Sequence, residues 1–211
     1  RAARGEILVF VDDDCEVEAG WLEHLTAPLC ESREILGVAG AVLVRRCGPI
    51  GYAENILGFP GGGLRYLDSA SGEIVATRYL STCNCAYRRE AIERVGGFAE
   101  DAVFGGEDYL VGQRVAARGA CVYTPRAIVY HRPRGALGAV FRWFARRGKS
   151  EIAIARRPGE GAAVARYVLR SSWTVRLLLL ALVLILWPSA ALGFPAAAAA
   201  YYAAILWRVR F

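Results

Sequence analysis

The stretch EILVFVDDDCEVEAGWL, residues 6–22, decides how the rest of the chain is read. Ile7 to Val11 form an apolar run that stops on three successive aspartates, Asp12, Asp13 and Asp14. Such a run reads as a strand buried on both faces, and open α/β sheets place ligands beyond the C-terminal ends of their strands. Three adjacent carboxylates repel one another and add little to folding. A hard divalent cation that also grips phosphate accounts for them, and so does an acidic turn that merely caps the next helix. D-x-D alone leaves both open.

Working outward, a helix is expected near Gly20 to Cys30, and GVAGAVLVRR (37–46) reads as a second buried strand. Residues 48–72, with FPGGG at 59–63, read as a loop or substrate-covering segment because glycine punctuates them. VATRYLSTCNCAYRR (75–89) has the alternation of a strand followed by a turn, and REAIERVGG forms a short helix closed by Gly96 in the left-handed region. GGEDYLVGQRVAARG (105–119) repeats that pattern: a glycine turn, Glu107 and Asp108 at the helix start, Gly119 at its end. ACVYTPRAIVYH (120–131) reads as two short strands broken at Pro125 and ending on His131.

Two further groups carry chemistry. The helix dipole favours an ionised carboxylate at positions 107 and 108, which keeps it able to accept a proton near neutral pH; capping is the plainer role for the same residues. His131 at a strand end suits a third metal ligand, although a single histidine is more often structural.

The composition is 55% hydrophobic with a net charge of +6, and Lys149 is the only lysine. Arginine suits phosphate and lipid headgroups, and a GC-rich genome yields the same bias; nucleic acid is not an expected partner. The six cysteines contain no C-x-x-C pair and no His/Cys cluster at zinc spacing, so reduced thiols facing the cytosol are expected. The N-terminus runs straight into a strand, with no signal peptide and no starting methionine, and reads as a fragment beginning inside a domain.

After residue 132 the composition changes. Between Arg132 and Arg176 eleven basic residues face two acidic ones. Leu137, Val140, Phe141 and Phe144 fall at helical spacing among Arg142, Arg146, Arg147 and Lys149, the pattern of a basic amphipathic helix on an anionic membrane surface or of a solvated helix docked on the domain. From Leu177 to Trp207 no residue is charged, which exceeds the roughly 20 residues a membrane span needs. Pro188, Gly193 and Pro195 interrupt the run and arginines flank it, so a hairpin of two spans, about 174–192 and 195–211, with both ends cytoplasmic, is expected. The organisation is therefore a globular α/β unit (1–132), an interfacial segment (133–173) and a membrane region (174–211).

Taken in order, FVDDDCEVEAGWL, STCNCAYRREAIERVGGFAE, GGEDYLVGQRVAARG and YHRPRG resemble the motifs of the family-2 glycosyltransferases of GT-A fold over residues 1 to about 150. The resemblance implies a Rossmann-like mixed sheet flanked by helices, here lacking its first strands and followed by a helical membrane region. It implies a nucleotide-diphosphate sugar donor, a divalent cation (Mn²⁺ or Mg²⁺), and a lipid-linked or glycan acceptor at the inner membrane's cytoplasmic face, in cell-envelope synthesis. Carried over by residue, Asp14, Asp12 and His131 hold the metal, with Asp12 nearer the donor ribose. Asp108 is the base of a single inverting displacement, with Glu107 orienting it. Asp13, the backbone around Asn84 and Cys85, and Arg88 shape the donor and acceptor pocket, together with Arg142 and Trp143.

Arg142 and Trp143 match the Q-x-x-R-W element of processive polysaccharide synthases, but Ala139 stands where the glutamine belongs, which favours a non-processive transferase. The alternatives are such a synthase, a nucleotidyltransferase of similar fold, and a non-catalytic sugar-binding membrane scaffold.

Overall fold

A computed structural model describes residues 3–102, 104–159, 161–162, 165–166, 173–186, 199–200 and 203. The chain divides into two units, residues 1–153 and 154–211. The first is built on β1 (Ile7–Val11), β2 (Cys15–Val17), α1 (Trp21–Glu31), β3 (Ile35–Leu43), α2 (Pro49–Ile56), α3 (Gly63–Ala70), β4 (Val75–Ala76), β5 (Asn84–Arg88), α4 (Arg89–Arg94), α5 (Glu107–Ala116) and β6 (Ala120–His131). The helix α6 (Leu137–Ala155) follows. The strands form one mixed sheet in the order β1-β5-β3-β6-β2, with β4 also on β6. Only β3 and β6 run parallel; the remaining pairs are antiparallel.

Alternation along the strands sends successive side chains to opposite faces. On one face Val38, Ala86 and Ala127 pack against Leu25 and Leu29 of α1. On the other, Ala39, Cys85, Tyr87 and Tyr123 pack against α4 and α5 through Ile92, Val111 and Val115. Helices thus cover both faces of a mixed sheet, the α/β class expected from sequence.

The strands differ from expectation where pairing, rather than hydropathy, sets their extent. Residues 120–131 are one strand, not two. Pro125 sits where the pairing slips from Gly40↔Thr124 to Ala41↔Ile128, an irregularity that absorbs its missing N–H. Ala127 has no partner in the β3 ladder, and its carbonyl is met by the Asn84 side chain instead. Asn84 Nδ2 donates to Ala41 O and Ala127 O, both at 2.8 Å, while its Oδ1 accepts from Trp21 Nε1 at 2.9 Å. A Cβ on Gly40 would lie 2.4 Å from Asn84 Nδ2 and 2.5 Å from Ala127 O, so glycine is required for this approach.

β1 is only partly buried, because β5 is its one neighbour among the described strands. The glycine-rich stretch 48–72, expected as loop, contains α2 and α3. Pro49 at the start of α2 suits a position whose N–H needs no helical partner, and Gly62 caps α3 at φ 100°. Gly96 closes α4 in the left-handed region as expected, at φ 82°. Gly119 has another reason to be glycine: a Cβ there would lie 2.6 Å from Leu36 Cδ1.

In the second unit α7 (Trp173–Leu186) carries Arg176 in its first turn and is apolar in sequence from Leu177 onward. Its 14 residues span about 21 Å at the α-helical rise, against roughly 30 Å of bilayer hydrocarbon. No helix among the described residues is long and apolar enough to cross a membrane. Most of the expected hairpin, beyond Leu186, lies outside the described residues.

Asn84→Ala removes the amide from the slipped β3–β6 pairing and leaves buried carbonyls unmet, at a cost of about 1–3 kcal/mol. The expected outcome is a lower urea midpoint at unchanged slope, and Gly40→Ala should mimic it.

Candidate active site

The acidic turn is positioned by backbone pairing. Asp12 O accepts the Cys15 N–H at 3.2 Å, which closes the turn, and β2 then pairs antiparallel with the end of β6, Cys15 opposite His131. Asp14 O accepts the Arg132 N–H at 3.0 Å. The turn is therefore tied to the strand end that carries His131, 117 residues further on. His131 Nε2 stands 3.3 Å from Asp14 Oδ1, while the ring is 8% exposed and its Nδ1 is buried with no hydrogen-bond partner. A buried imidazole with one nitrogen unengaged is a ready metal ligand.

Cys83 completes a cluster that its sequence position conceals. One ligand atom each from Asp12, Cys83 and His131 lies within 4.8 Å of the other two. The expectation of no His/Cys cluster held only for sequence spacing: these groups come from the β1–β2 turn, the segment before β5 and the end of β6. Cys15 Sγ lies 3.6 Å from Cys83 Sγ, and all six cysteines are free thiols. Asp13 is exposed.

Asp108 occupies a different environment. It starts α5 behind Gly106, which adopts φ 92°, and its Oδ1 accepts the Tyr109 N–H at 2.7 Å. Burial pushes its carboxyl above the ordinary value, and the neighbouring Glu107 carboxylate adds to the rise. The N–H groups of Tyr109 and Thr82 and the Arg147 guanidinium oppose it without reversing it. The helix dipole was expected to hold this group ionised; desolvation outweighs it here. A carboxyl raised in this way is a stronger proton acceptor, as a general base requires.

Cys85 links the two ends. It is fully buried as the second residue of β5, and burial, then the Asp108 and Asp12 carboxylates, push its thiol well up. Both acids therefore lie over the same strand. The side chain of Cys85 belongs to the core, not to a pocket wall.

The backbone around Asn84 and Cys85, with Arg88, was expected to shape a pocket; the side chains of Asn84 and Arg88 are engaged within the protein. Asn84 is buried in the clamp described above. Arg88 Nε donates to Ile35 O at 2.9 Å, and its Nη2 to Ser32 O at 2.9 Å and to Leu29 O, satisfying carbonyls at the end of α1 and the start of β3. Trp143 packs edge-on against Phe59 and Phe144, with centroids 5.3 and 4.9 Å away, and the Arg134 guanidinium lies 4.4 Å over its ring. Arg134 in turn pairs with buried Glu54 at 2.7 Å. Arg142 is exposed on the neighbouring turn, beside Phe141. Sequence reading missed Cys83, Arg134 and Arg147 as neighbours of these groups, because their partners are remote in the chain. The C-N-C alternation was the one available hint for Cys83.

Residues 1–96 match the model of the family described as glycosyl transferase family 2. No curated protein matches the chain. Among solved structures, a mannosyltransferase from Pyrobaculum calidifontis, in complex with GDP-Man and Mn²⁺, is similar over 98% of this chain and 59% of that one, at 23% identity and TM-score 0.58. GalNAc-T7, solved with UDP, GalNAc and Mn²⁺, is similar over 72% of this chain and 34% of that one, at 18% identity and TM-score 0.45. The likeness to the mannosyltransferase is one of fold. The chain spans about three-fifths and one-third of the lengths of these two structures.

The raised Asp108 carboxyl has a stability signature. The folded chain holds this proton more tightly than the unfolded one, so the group costs nothing in acid, below its unfolded value, and destabilises the fold as pH rises through its folded value. Asp108→Asn keeps the acceptor oxygen for the Tyr109 N–H and removes that penalty. Denaturant melts from pH 4 to pH 8 should find the variant at least as stable as the parent at neutral pH, with the difference vanishing in acid. A variant less stable than the parent at neutral pH would show that the carboxylate itself supports the fold.

Proposed function

We propose that this chain carries the catalytic centre of a metal-dependent, inverting glycosyltransferase. It moves a sugar from a nucleotide-diphosphate donor to an acceptor hydroxyl. The observation that carries this reading is the pairing of unlike acids over one strand. A solvent-accessible aspartate turn beside a buried imidazole, and a single carboxyl whose proton affinity desolvation raises, both act on the Cys85 thiol. Environments that push two acids apart are how one site holds a charge-binding group and a proton acceptor together. The family match over residues 1–96 and the fold shared with the mannosyltransferase support the same assignment.

In this mechanism Asp12, Asp14 and His131 hold a divalent cation. When bound, it neutralises the diphosphate that leaves with the nucleotide. Asp108 takes the proton of the acceptor hydroxyl as that oxygen attacks the anomeric carbon from the face opposite the leaving group, so one displacement inverts the configuration. Glu107 keeps its neighbour's proton affinity high. Arg147, packed 5.2 Å over Phe59, is the cation that opposes this rise without reversing it.

The acceptor in this reading is attached to a membrane lipid at the cytoplasmic leaflet. Leu137 and Phe141 of α6 are 72% and 75% exposed, and Arg142, Arg146 and Lys149 surround them. This edge of α6 suits an anionic headgroup layer, while its other edge docks on the first unit through Trp143 and Phe144. The uncharged run 177–207 supports anchoring from sequence.

The test is nucleotide release from a panel of nucleotide sugars by the chain in native membranes, with and without Mn²⁺ or Mg²⁺. Asp108→Asn should lower turnover by about 10²–10⁴-fold, the usual contribution of a general base, while metal-dependent donor binding persists. Asp14→Ala should weaken both. Normal transfer by Asp108→Asn would remove Asp108 as the base.

A further inference from the structure

Cys83 has no role in a site built from carboxylates and imidazole for a hard cation, yet it stands among those ligands. Its side chain is 3% exposed and one donor atom each from Asp12, Cys83 and His131 lies within 4.8 Å of the others. Its backbone N–H donates to Ser81 Oγ at 3.4 Å, and the next residue is the Asn84 clamp, so the thiol is presented from a fixed position. Asp14 stands outside this group of three, with its Oδ1 3.3 Å from His131 Nε2.

We propose that Cys83 is itself a ligand of this cation site, so that the site favours a borderline, thiophilic divalent ion such as zinc or cobalt over magnesium. The inference rests on the reading of the aspartate turn as a cation site. Two carboxylates, an imidazole and a thiolate are a donor set found around tetrahedral zinc, whereas magnesium takes oxygen ligands in octahedral geometry. At zinc–ligand bond lengths of about 2.0–2.3 Å, donor atoms stand roughly 3–4 Å apart, so the three atoms, within 4.8 Å of one another, draw together on binding. Binding forms the metal–sulfur bond and releases the Cys83 proton to solvent. Cys15, whose Sγ is 3.6 Å from Cys83 Sγ, packs behind the ligand and is not part of the set.

Cobalt(II) titration of the 211-residue chain under anaerobic, reducing conditions tests this without reference to turnover. Visible d–d bands report bound cobalt whatever its ligands, and a near-ultraviolet charge-transfer band reports a cobalt–thiolate bond. Both are expected in the parent chain, and zinc should erase both where excess magnesium does not. Cys83→Ser should lose the charge-transfer band, keep the d–d bands and bind cobalt about 10–100-fold more weakly, at least the loss seen when a ligand's supporting partner is removed. Cys15→Ser should keep both bands. Circular dichroism confirms that each variant is folded, and the parent spectrum decides the question even if one is not. Visible bands without charge transfer in the parent, or charge transfer that survives Cys83→Ser, would overturn the role of Cys83 while the cation site stands. No visible bands at all would overturn the cation reading with it.

Discussion

The hydrogen bonds of the Asn84 side chain are the constraint on which the rest of the site depends. Pro125 forces a slip in the pairing of β3 with β6, and the slip leaves the Ala127 carbonyl without a ladder partner in the interior. One amide meets that carbonyl, meets Ala41 of the neighbouring strand, and takes the Trp21 indole N–H from α1. Gly40 has no side chain because the amide occupies that space. Everything chemically notable is attached to this point: Thr82 reaches Asp108, Cys83 lies with Asp12 and His131, and Cys85 runs beneath both acids.

Electrostatics then assigns different tasks to similar groups. The aspartate turn is open to solvent, where like charges are screened and a cation can enter. Asp108 is half-buried at the start of α5, and desolvation raises its proton affinity against the helix dipole that favours its charge.

The wide α/β features were legible because they depend on local pattern. The apolar run Ile7–Val11 gave β1, Gly96 gave the left-handed close of α4, and the acidic start of α5 lies where the glycine turn placed it. The misreadings have specific causes. Glycine in residues 48–72 was taken as loop punctuation, but Gly58 and Gly61–Gly63 form the link between two helices at positive φ. Pro125 was taken as a strand end, but a slip in register accommodated it. Arg88 and Asn84 sit inside a recognisable motif, yet their side chains serve α1 and the β3–β6 slip, which no local pattern encodes.

By itself, the sequence determined the first strand, the aspartate turn, the short helix closed by Gly96 and the acidic helix start. It also determined the charge-free run after residue 176. These depend on neighbours one to four residues apart, where hydropathy period, turn chemistry and caps act. Tertiary structure alone decided that His131 meets Asp14 and that Cys83 joins them. It also decided that Asp108 is desolvated and that Trp143 stacks under Arg134. Each of these depends on which chain segments the sheet brings together. Residues 12, 83 and 131 become neighbours only through the pairing of β2 with β6 and the Asn84 clamp, and burial is a property of the assembled layers.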